Sequence, residues 1–166
     1  MVGLDLTEIE GVDEVTALTI ISEIGIDLGK FETVKQFCSW LGLCPQFRKT
    51  GGRVKSSRTR PGTNRTATAL RLAANSLHSS KSALGRFLRR MKSRLGAPAA
   101  VTATAYKLAR LVDYALKNGR PYVKKSQEEY ETMLRQKQIA AVKRKARQLG
   151  LEVNEGARGR TAPSPT

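Results

Sequence analysis

A hydroxyl side chain beside two glycines is the feature of this sequence that is best suited to chemistry on a phosphate. Thr50 directly precedes Gly51 and Gly52. A hydroxyl can act as a nucleophile, and glycine lets the backbone approach a phosphate closely. Further hydroxyls follow at Ser56, Ser57, Thr59 and Thr63. Because Ser and Thr are common in basic loops, this composition alone favours binding of a phosphate backbone over catalysis.

Positive charge is concentrated in one block of the chain. The 166 residues carry a net charge of +16, and the stretch from Thr33 to Val112 contains Lys and Arg but no Asp or Glu. A surface that serves only solubility mixes both signs, so a block of one sign indicates a polyanionic partner, such as nucleic acid or an anionic membrane surface. The block also lacks the carboxylates that hold Mg²⁺, so we expect no metal site within it.

The cations of this block fall into two groups. The first surrounds Thr50 in residues 46–63, which we call the basic segment, and extends to Arg65. The second is a stripe at positions i, i+4 and i+8 of a predicted helix, where it could follow a row of phosphates. The predicted DNA contacts are Gly51, Gly52, Arg53, Lys55, Arg58, Arg60, Arg65, Arg86, Arg90 and Arg94.

The spacing of apolar residues predicts an all-α fold. A short turn leads into a helix that begins at Asp13 and ends at Gly25, and together they form a helical hairpin over residues 4–28. The next helix ends at Gly42 and is expected to place Trp40 in the core. The predicted buried face of the first helix consists of Val15, Leu18, Ile21 and Ile24.

The basic segment has no apolar periodicity and is therefore predicted to be a loop. Helical spacing resumes at Asn64, and a later helix ends at Gly119, which completes a main domain over residues 4–122. We expect a charged helix over residues 126–150 and a disordered tail over residues 151–166. The thin apolar stripe of the charged helix makes a homo-oligomer a candidate state.

Other kinds of site find little support in the sequence. Cys38 and Cys44 are the two cysteines, and the single histidine, His78, is far from both, so neither a zinc site nor a disulfide framework is indicated. No apolar run is long enough for a membrane span, and the acidic N-terminal stretch does not resemble a signal peptide. We therefore expect a cytoplasmic, nucleoid-associated protein without a membrane partner.

The order of short motifs along the chain resembles one known family. "WLGLCP" precedes the Thr-Gly-Gly, and the basic segment is followed by "NR", "ALRLAA" and "RLGAP". In this order the stretch from Leu4 to Leu151 resembles the C-terminal transposase domain of the insertion-sequence-110 type. That group includes the Piv DNA invertase and the bridge-RNA-guided recombinases. "IEGVDEVTALTIISEIG" is similar to the helical hairpin that opens the domain.

The resemblance implies a role in DNA transposition, as the DNA-binding and strand-exchange domain of a recombinase. In that family a serine in a Ser-Gly pair attacks the DNA backbone, and Thr50 occupies the matching position, which makes the basic segment the active-site loop. The family's Mg²⁺ is held by an acidic tetrad in an N-terminal RuvC-like domain, so the resemblance implies no cofactor in this chain. It adds a guide RNA as a candidate partner. Because the acidic domain is missing from this sequence, we expect a fragment or degenerate copy that is inactive alone.

The residues alone allow two other functions. A non-catalytic architectural DNA- or RNA-binding protein needs the cations but no nucleophile, and a ribosome-associated protein needs only the cationic helix. The identity of Thr50 affects the choice between a catalytic and a non-catalytic function, because its methyl group crowds an in-line attack at phosphorus. A secondary hydroxyl also reacts more slowly than a primary one, and the missing acidic domain permits the architectural alternative.

Overall fold

The computed structural model of the chain describes residues 5–56, 58–119 and 127–151. Over these residues the fold is all-α, as predicted, with six α-helices, two 3₁₀ turns and one β-hairpin. The helices are α1 (Glu14–Ile24), α2 (Val34–Trp40), α3 (Arg65–Ser76), α4 (Ala83–Leu95), α5 (Ala97–Asn118) and α6 (Gln127–Gln148). The two strands are β1 (Arg48–Thr50) and β2 (Arg53–Ser56).

The chain divides into two compact units between Tyr130 and Glu131. The first unit contains α1 to α5 and the hairpin. The second contains most of α6, the helix that occupies the region predicted to be charged and helical, and there Ile139 and Val142 are exposed. The predicted tail lies outside the described residues except for Leu151. None of the helices in the described part combines the length and apolar character that a membrane span requires.

The N-terminal segment is a 3₁₀ turn, Leu6–Glu8, that leads through a tight bend into α1. The Asp13 carboxylate caps α1 by accepting a hydrogen bond from Thr16 N at 2.8 Å. Hydrogen bonding from the Thr16 side chain, and then from its backbone N–H, lowers the pKa of the Asp13 carboxyl group. Gly11 has a positive φ of 83°, and a Cβ there would lie 2.6 Å from the Ala73 carbonyl oxygen. Glycine is therefore required where the bend meets α3.

The prediction for the buried face of α1 is wrong at three of its four positions. Val15 and Leu18 are 72% and 67% exposed, and Ile21 is also exposed. Helix α1 carries two overlapping apolar stripes. The stripe that includes the smaller residues packs against α3. Small side chains let two helices approach closely. The buried residues are Thr16, Ala17, Ile20 and Ile24.

Helix α2 starts from a capping box and buries one side. Gln36 N donates to Thr33 Oγ1 at 3.2 Å, and Thr33 N donates to Gln36 Oε1 at 3.3 Å. Phe37 is fully buried, but Trp40 is 45% exposed, which corrects the prediction that it lies in the core. The indole packs against Phe31, with 5.5 Å between ring centroids and a tilt of 51°, and Lys30 Nζ lies 5.7 Å from the indole centroid.

Helix α5 is the centre of the first unit and packs against α2, α3 and α4. It has Pro98 in its first turn and ends at Gly119, whose φ of 59° is left-handed, and both features agree with the sequence prediction. Small residues on α5 allow its neighbours to approach closely. The fully buried small residues of this helix are Ala100, Thr104, Ala105 and Ala109.

Candidate nucleic-acid interface

The basic segment contains a β-hairpin, which corrects the prediction that it is a loop without strands. β1 and β2 pair antiparallel, with Thr50 opposite Arg53 at the tip. Gly51 and Gly52 connect the strands with φ values of 57° and 75°, and positive φ at both central residues is what a type I′ turn requires. A search for apolar alternation could not find this hairpin, because the turn rather than a buried face determines it.

A second stretch of pairing holds the hairpin close to the end of α2. Gln46 N donates to the Arg58 carbonyl oxygen at 3.0 Å, and Pro45 forms an isolated antiparallel bridge with Thr59. The two sides of the basic segment are therefore joined from the turn to the base, apart from Ser57, which lies outside the described residues. The segment is therefore a paired ribbon over much of its length, on which Thr50, Arg53 and Lys55 are exposed.

Thr50 is exposed at the tip of this ribbon. Residues directly opposite each other in an antiparallel pair project from the same face, so the side chains of Thr50 and Arg53 are neighbours. A Cβ added at Gly51 or Gly52 would have nothing within 4 Å, which leaves the turn open to a ligand. Within the part of the chain that the structure describes, no His, Asp or Glu side chain is hydrogen-bonded to Thr50.

Cations without acidic partners surround the tip. Four of the predicted DNA contacts lie on the ribbon with exposed side chains, and among the described residues none of the four has a carboxylate partner. Each can therefore make charge-assisted hydrogen bonds to an anionic ligand. These four residues are Arg53, Lys55, Arg58 and Arg60.

Arg65 is placed differently from the cations of the ribbon. It is the first residue of α3, which Asn64 caps by accepting a hydrogen bond from Ala67 N at 2.9 Å. Its guanidinium Nη1 lies 3.7 Å from Glu23 Oε1 on α1, and both residues line a groove of about 630 Å³ between α1 and α3. Glu23, which sequence analysis did not single out, therefore competes with any phosphate for Arg65.

The second predicted group of cations lies on α4. Arg94 is exposed, whereas Arg86 and Arg90 are half-buried, and Arg86 already interacts with other groups of the protein. Ser82 caps the helix by accepting a hydrogen bond from Gly85 N at 3.2 Å. The structure thus places the predicted contacts at three locations: in the basic segment, at the start of α3 and on α4.

The residues described by the structure do not fit a Mg²⁺ ion. No three His, Cys, Asp or Glu side chains come together among them, and a divalent cation of this type needs several oxygen ligands, usually including carboxylates. A metal used in a reaction on DNA would need ligands from other residues.

Phe47 is a candidate contact that the sequence analysis missed. It is 62% exposed and directly precedes β1. The signal in the sequence is an aromatic residue within a cationic stretch that has no helical periodicity, and therefore no buried face for the ring to join.

Comparison with known proteins places this architecture in a family. Residues 5–89, just over half of the chain, match the family described as "Transposase IS116/IS110/IS902 family". The matched stretch contains α1 to α3, the hairpin and the first half of α4. Over 66 residues the chain is 39% identical to y4qE, named as a candidate transposase of Sinorhizobium fredii; the aligned region covers 39% of this chain and 17% of that relative. On the strength of the match over residues 5–89, the chain belongs to the IS116/IS110/IS902 family of transposases.

Proposed function

We propose that this chain binds DNA during transposition and that the basic segment holds the DNA backbone with Thr50 facing a phosphate. The observation that carries this proposal is the open Gly-Gly turn of the hairpin, which is followed along the basic segment by four exposed cations without acidic partners among the described residues. Family membership supplies the reaction class, which is DNA transposition.

The hairpin presents its cations to phosphates as a pre-formed ribbon. The Arg53 guanidinium can donate two parallel hydrogen bonds to one phosphate. Since opposite residues of an antiparallel pair have Cβ atoms about 5 Å apart, that phosphate would lie next to the Thr50 hydroxyl. The arginines of α4 add a second group of backbone contacts. Contacts of this kind fix the position of DNA without reading its sequence.

In strand exchange, the Thr50 oxygen would form a bond to phosphorus while a deoxyribose oxygen leaves. The hydroxyl proton must pass to a base, and the leaving oxygen must be stabilised or protonated. Arg53 would stabilise the charge that develops on the phosphoryl oxygens. Because no titratable side chain is hydrogen-bonded to Thr50 in the described part, the base would come from elsewhere in the assembled transposase.

A comparison of two variants with equal charge tests the DNA-binding role. One variant carries Arg53→Gln, Lys55→Gln, Arg58→Gln and Arg60→Gln on the hairpin. The control removes the same charge from exposed positions of α6, with Arg135→Gln, Lys137→Gln, Arg144→Gln and Arg147→Gln. We expect the hairpin variant to bind duplex DNA at least about tenfold more weakly in fluorescence anisotropy, because direct phosphate contacts are lost. Equal weakening by the control would contradict a role for the hairpin beyond net charge.

The role of Thr50 as nucleophile has its own test. The chain is incubated with DNA, Mg²⁺ and a separately supplied acidic RuvC-like domain, and covalent protein-DNA adducts are resolved by denaturing electrophoresis. An adduct is expected, lost in Thr50→Ala and equal or stronger in Thr50→Ser, because the primary hydroxyl is less hindered. Failure of Thr50→Ser to form any adduct would contradict the catalytic role and leave the binding role intact.

The absence of a base next to Thr50 in the described part favours a second candidate function, that of an architectural DNA-binding protein. In that case the hairpin would bind and shape DNA without forming a bond to it. The two functions differ in one measurement, since both predict salt-dependent binding but only the recombinase predicts the covalent adduct.

A further inference from the structure

Phe47 is an exposed ring on a cationic ribbon. It is 62% exposed and is the only aromatic residue in the basic segment. No ring or cation partner is recorded for it within the described residues. Trp40, which is 45% exposed, differs because its indole leans on Phe31. The Phe47 ring therefore contributes little to the packing of the protein and is available to a ligand.

The backbone on both sides of Phe47 is fixed. Gln46 N donates to the Arg58 carbonyl oxygen at 3.0 Å, and on the other side Arg48 is paired with Ser56. The ring is thus attached to a paired part of the ribbon rather than to a free loop. Because the backbone at Phe47 is already paired, a ligand that binds the ring does not have to order it. This lowers the entropic cost of binding.

The charges around the Phe47 ring limit which ligands can bind to it. The exposed charges of the basic segment include the cations Arg58 and Arg60, and no Asp or Glu occurs from Thr33 to Val112. The ligand must therefore combine negative charge with a flat apolar face. A nucleic-acid strand with an unpaired base has both properties, and aromatic side chains in a cationic groove bind such strands by stacking. In an intact duplex the faces of the bases are covered by their neighbours.

From the position of Phe47 on the ribbon we propose that its ring stacks on an unpaired DNA base, while the cations of the basic segment hold the same strand. This inference rests on the proposed DNA-binding function. The ribbon would hold DNA in a locally opened state.

The test compares binding of the full chain to a single-stranded DNA oligonucleotide and to the matching duplex. Phe47→Ala removes the ring, Phe47→Leu keeps an apolar side chain without an aromatic face, and Phe47→Trp keeps a stacking surface. Leu72→Ala truncates another exposed apolar residue, 67% exposed on α3, as the matched control. A 2-aminopurine base in the single strand reports stacking through quenching of its fluorescence.

For the single strand we expect Phe47→Ala and Phe47→Leu to lose roughly five- to hundredfold in affinity, as typical for one stacked base. Phe47→Trp and Leu72→Ala should stay close to the wild type, and duplex affinity should change less than about twofold in every variant. The quenching should occur with wild type and Phe47→Trp and disappear with Phe47→Leu.

Three outcomes would overturn the inference. Phe47→Leu could bind and quench like the wild type, which would show that the ring is not needed. Phe47→Ala could weaken duplex and single strand equally, which would indicate a general contact or a wedge into duplex DNA. The wild type could bind duplex only, which would leave the proposed function standing without the stacking. Failure of the wild type to bind any DNA would instead overturn the proposed function itself.

Discussion

Thr50 and Arg53 face each other across the tip of the hairpin, as the last residue of β1 and the first residue of β2. The two glycines between them set this relationship, because a two-residue turn with positive φ brings the strand ends into register. In the proposed function, a phosphate bound by the Arg53 guanidinium would lie next to the Thr50 hydroxyl. The same glycines have two possible roles, as a turn and as an open approach for a phosphate.

Substitutions at Gly51 separate these two roles. Asparagine tolerates positive φ and is common in type I′ turns, whereas valine is not tolerated there. We expect Gly51→Asn to keep DNA affinity within about threefold and Gly51→Val to lose it, with the same melting temperature in both, because the hairpin is exposed. Fluorescence anisotropy and thermal unfolding provide the measurements. If Gly51→Asn weakens DNA binding as much as Gly51→Val, close approach of the backbone rather than turn geometry is what the glycine supplies.

Removal of the carboxylate that competes for Arg65 should strengthen DNA binding. Glu23→Gln abolishes the 3.7 Å ion pair and frees the guanidinium, whose side chain is 82% exposed. Since exposed ion pairs contribute up to about 1 kcal/mol, the gain in affinity should be up to about fivefold at low salt. Glu14→Gln on the same helix is the control, because Glu14 is exposed and the change in charge is equal. Equal gains in the two variants would mean that only net charge matters.

The close contact between Gly11 and α3 predicts a difference between two glycine substitutions. Both Gly11 and Gly119 have positive φ, but only at Gly11 would a Cβ meet a backbone oxygen, that of Ala73, at 2.6 Å. We expect Gly119→Ala to lower the free energy of unfolding by about 1 kcal/mol, and Gly11→Ala by about 2 to 4 kcal/mol. Urea denaturation of both variants gives the comparison. Equal losses would show that α3 moves away from the bend at little cost.

Stability should fall at alkaline pH through the thiol of Cys38. Burial is the main cause that raises the pKa of this thiol from 9.0 to about 12. The folded state therefore favours the protonated thiol more than the unfolded state does. This contribution is complete below the unfolded pKa and is lost as the pH rises towards the folded pKa. Denaturation of wild type and Cys38→Ala between about pH 8 and pH 10 should show a steeper decrease for the wild type. Parallel curves would indicate that the Cys38 thiol is not buried as described.

The helices that could be predicted from the sequence are those with one clear apolar stripe or a strong capping signal. Asn64 and Gly119 marked the start of α3 and the end of α5. In α1, the apolar residues outnumber the positions on one face. The sequence could not show which stripe packs against α3, since that depends on a partner distant in the chain.

The positive charge of the candidate site could be predicted from the sequence, but its backbone structure could not. The positions of the cations along the chain can be read directly from the sequence, and so can the absence of carboxylates between Thr33 and Val112. The hairpin could not be predicted from periodicity, because its strands are only three and four residues long and its geometry depends on the Gly-Gly turn. The Arg65–Glu23 pair joins two helices that are far apart in sequence, and only the tertiary fold brings them together.

The most direct test of a phosphate-binding hairpin is the salt dependence of duplex DNA binding. Each phosphate contact releases counterions and contributes about 0.9 to the slope of log affinity against log salt concentration. The variant with Arg53, Lys55, Arg58 and Arg60 changed to Gln should therefore have a slope shallower by about 3 to 4 than the wild type, whereas the α6 control should keep the wild-type slope. Identical slopes for the wild type and the hairpin variant would contradict the account, because they would show that these four cations do not contact phosphates.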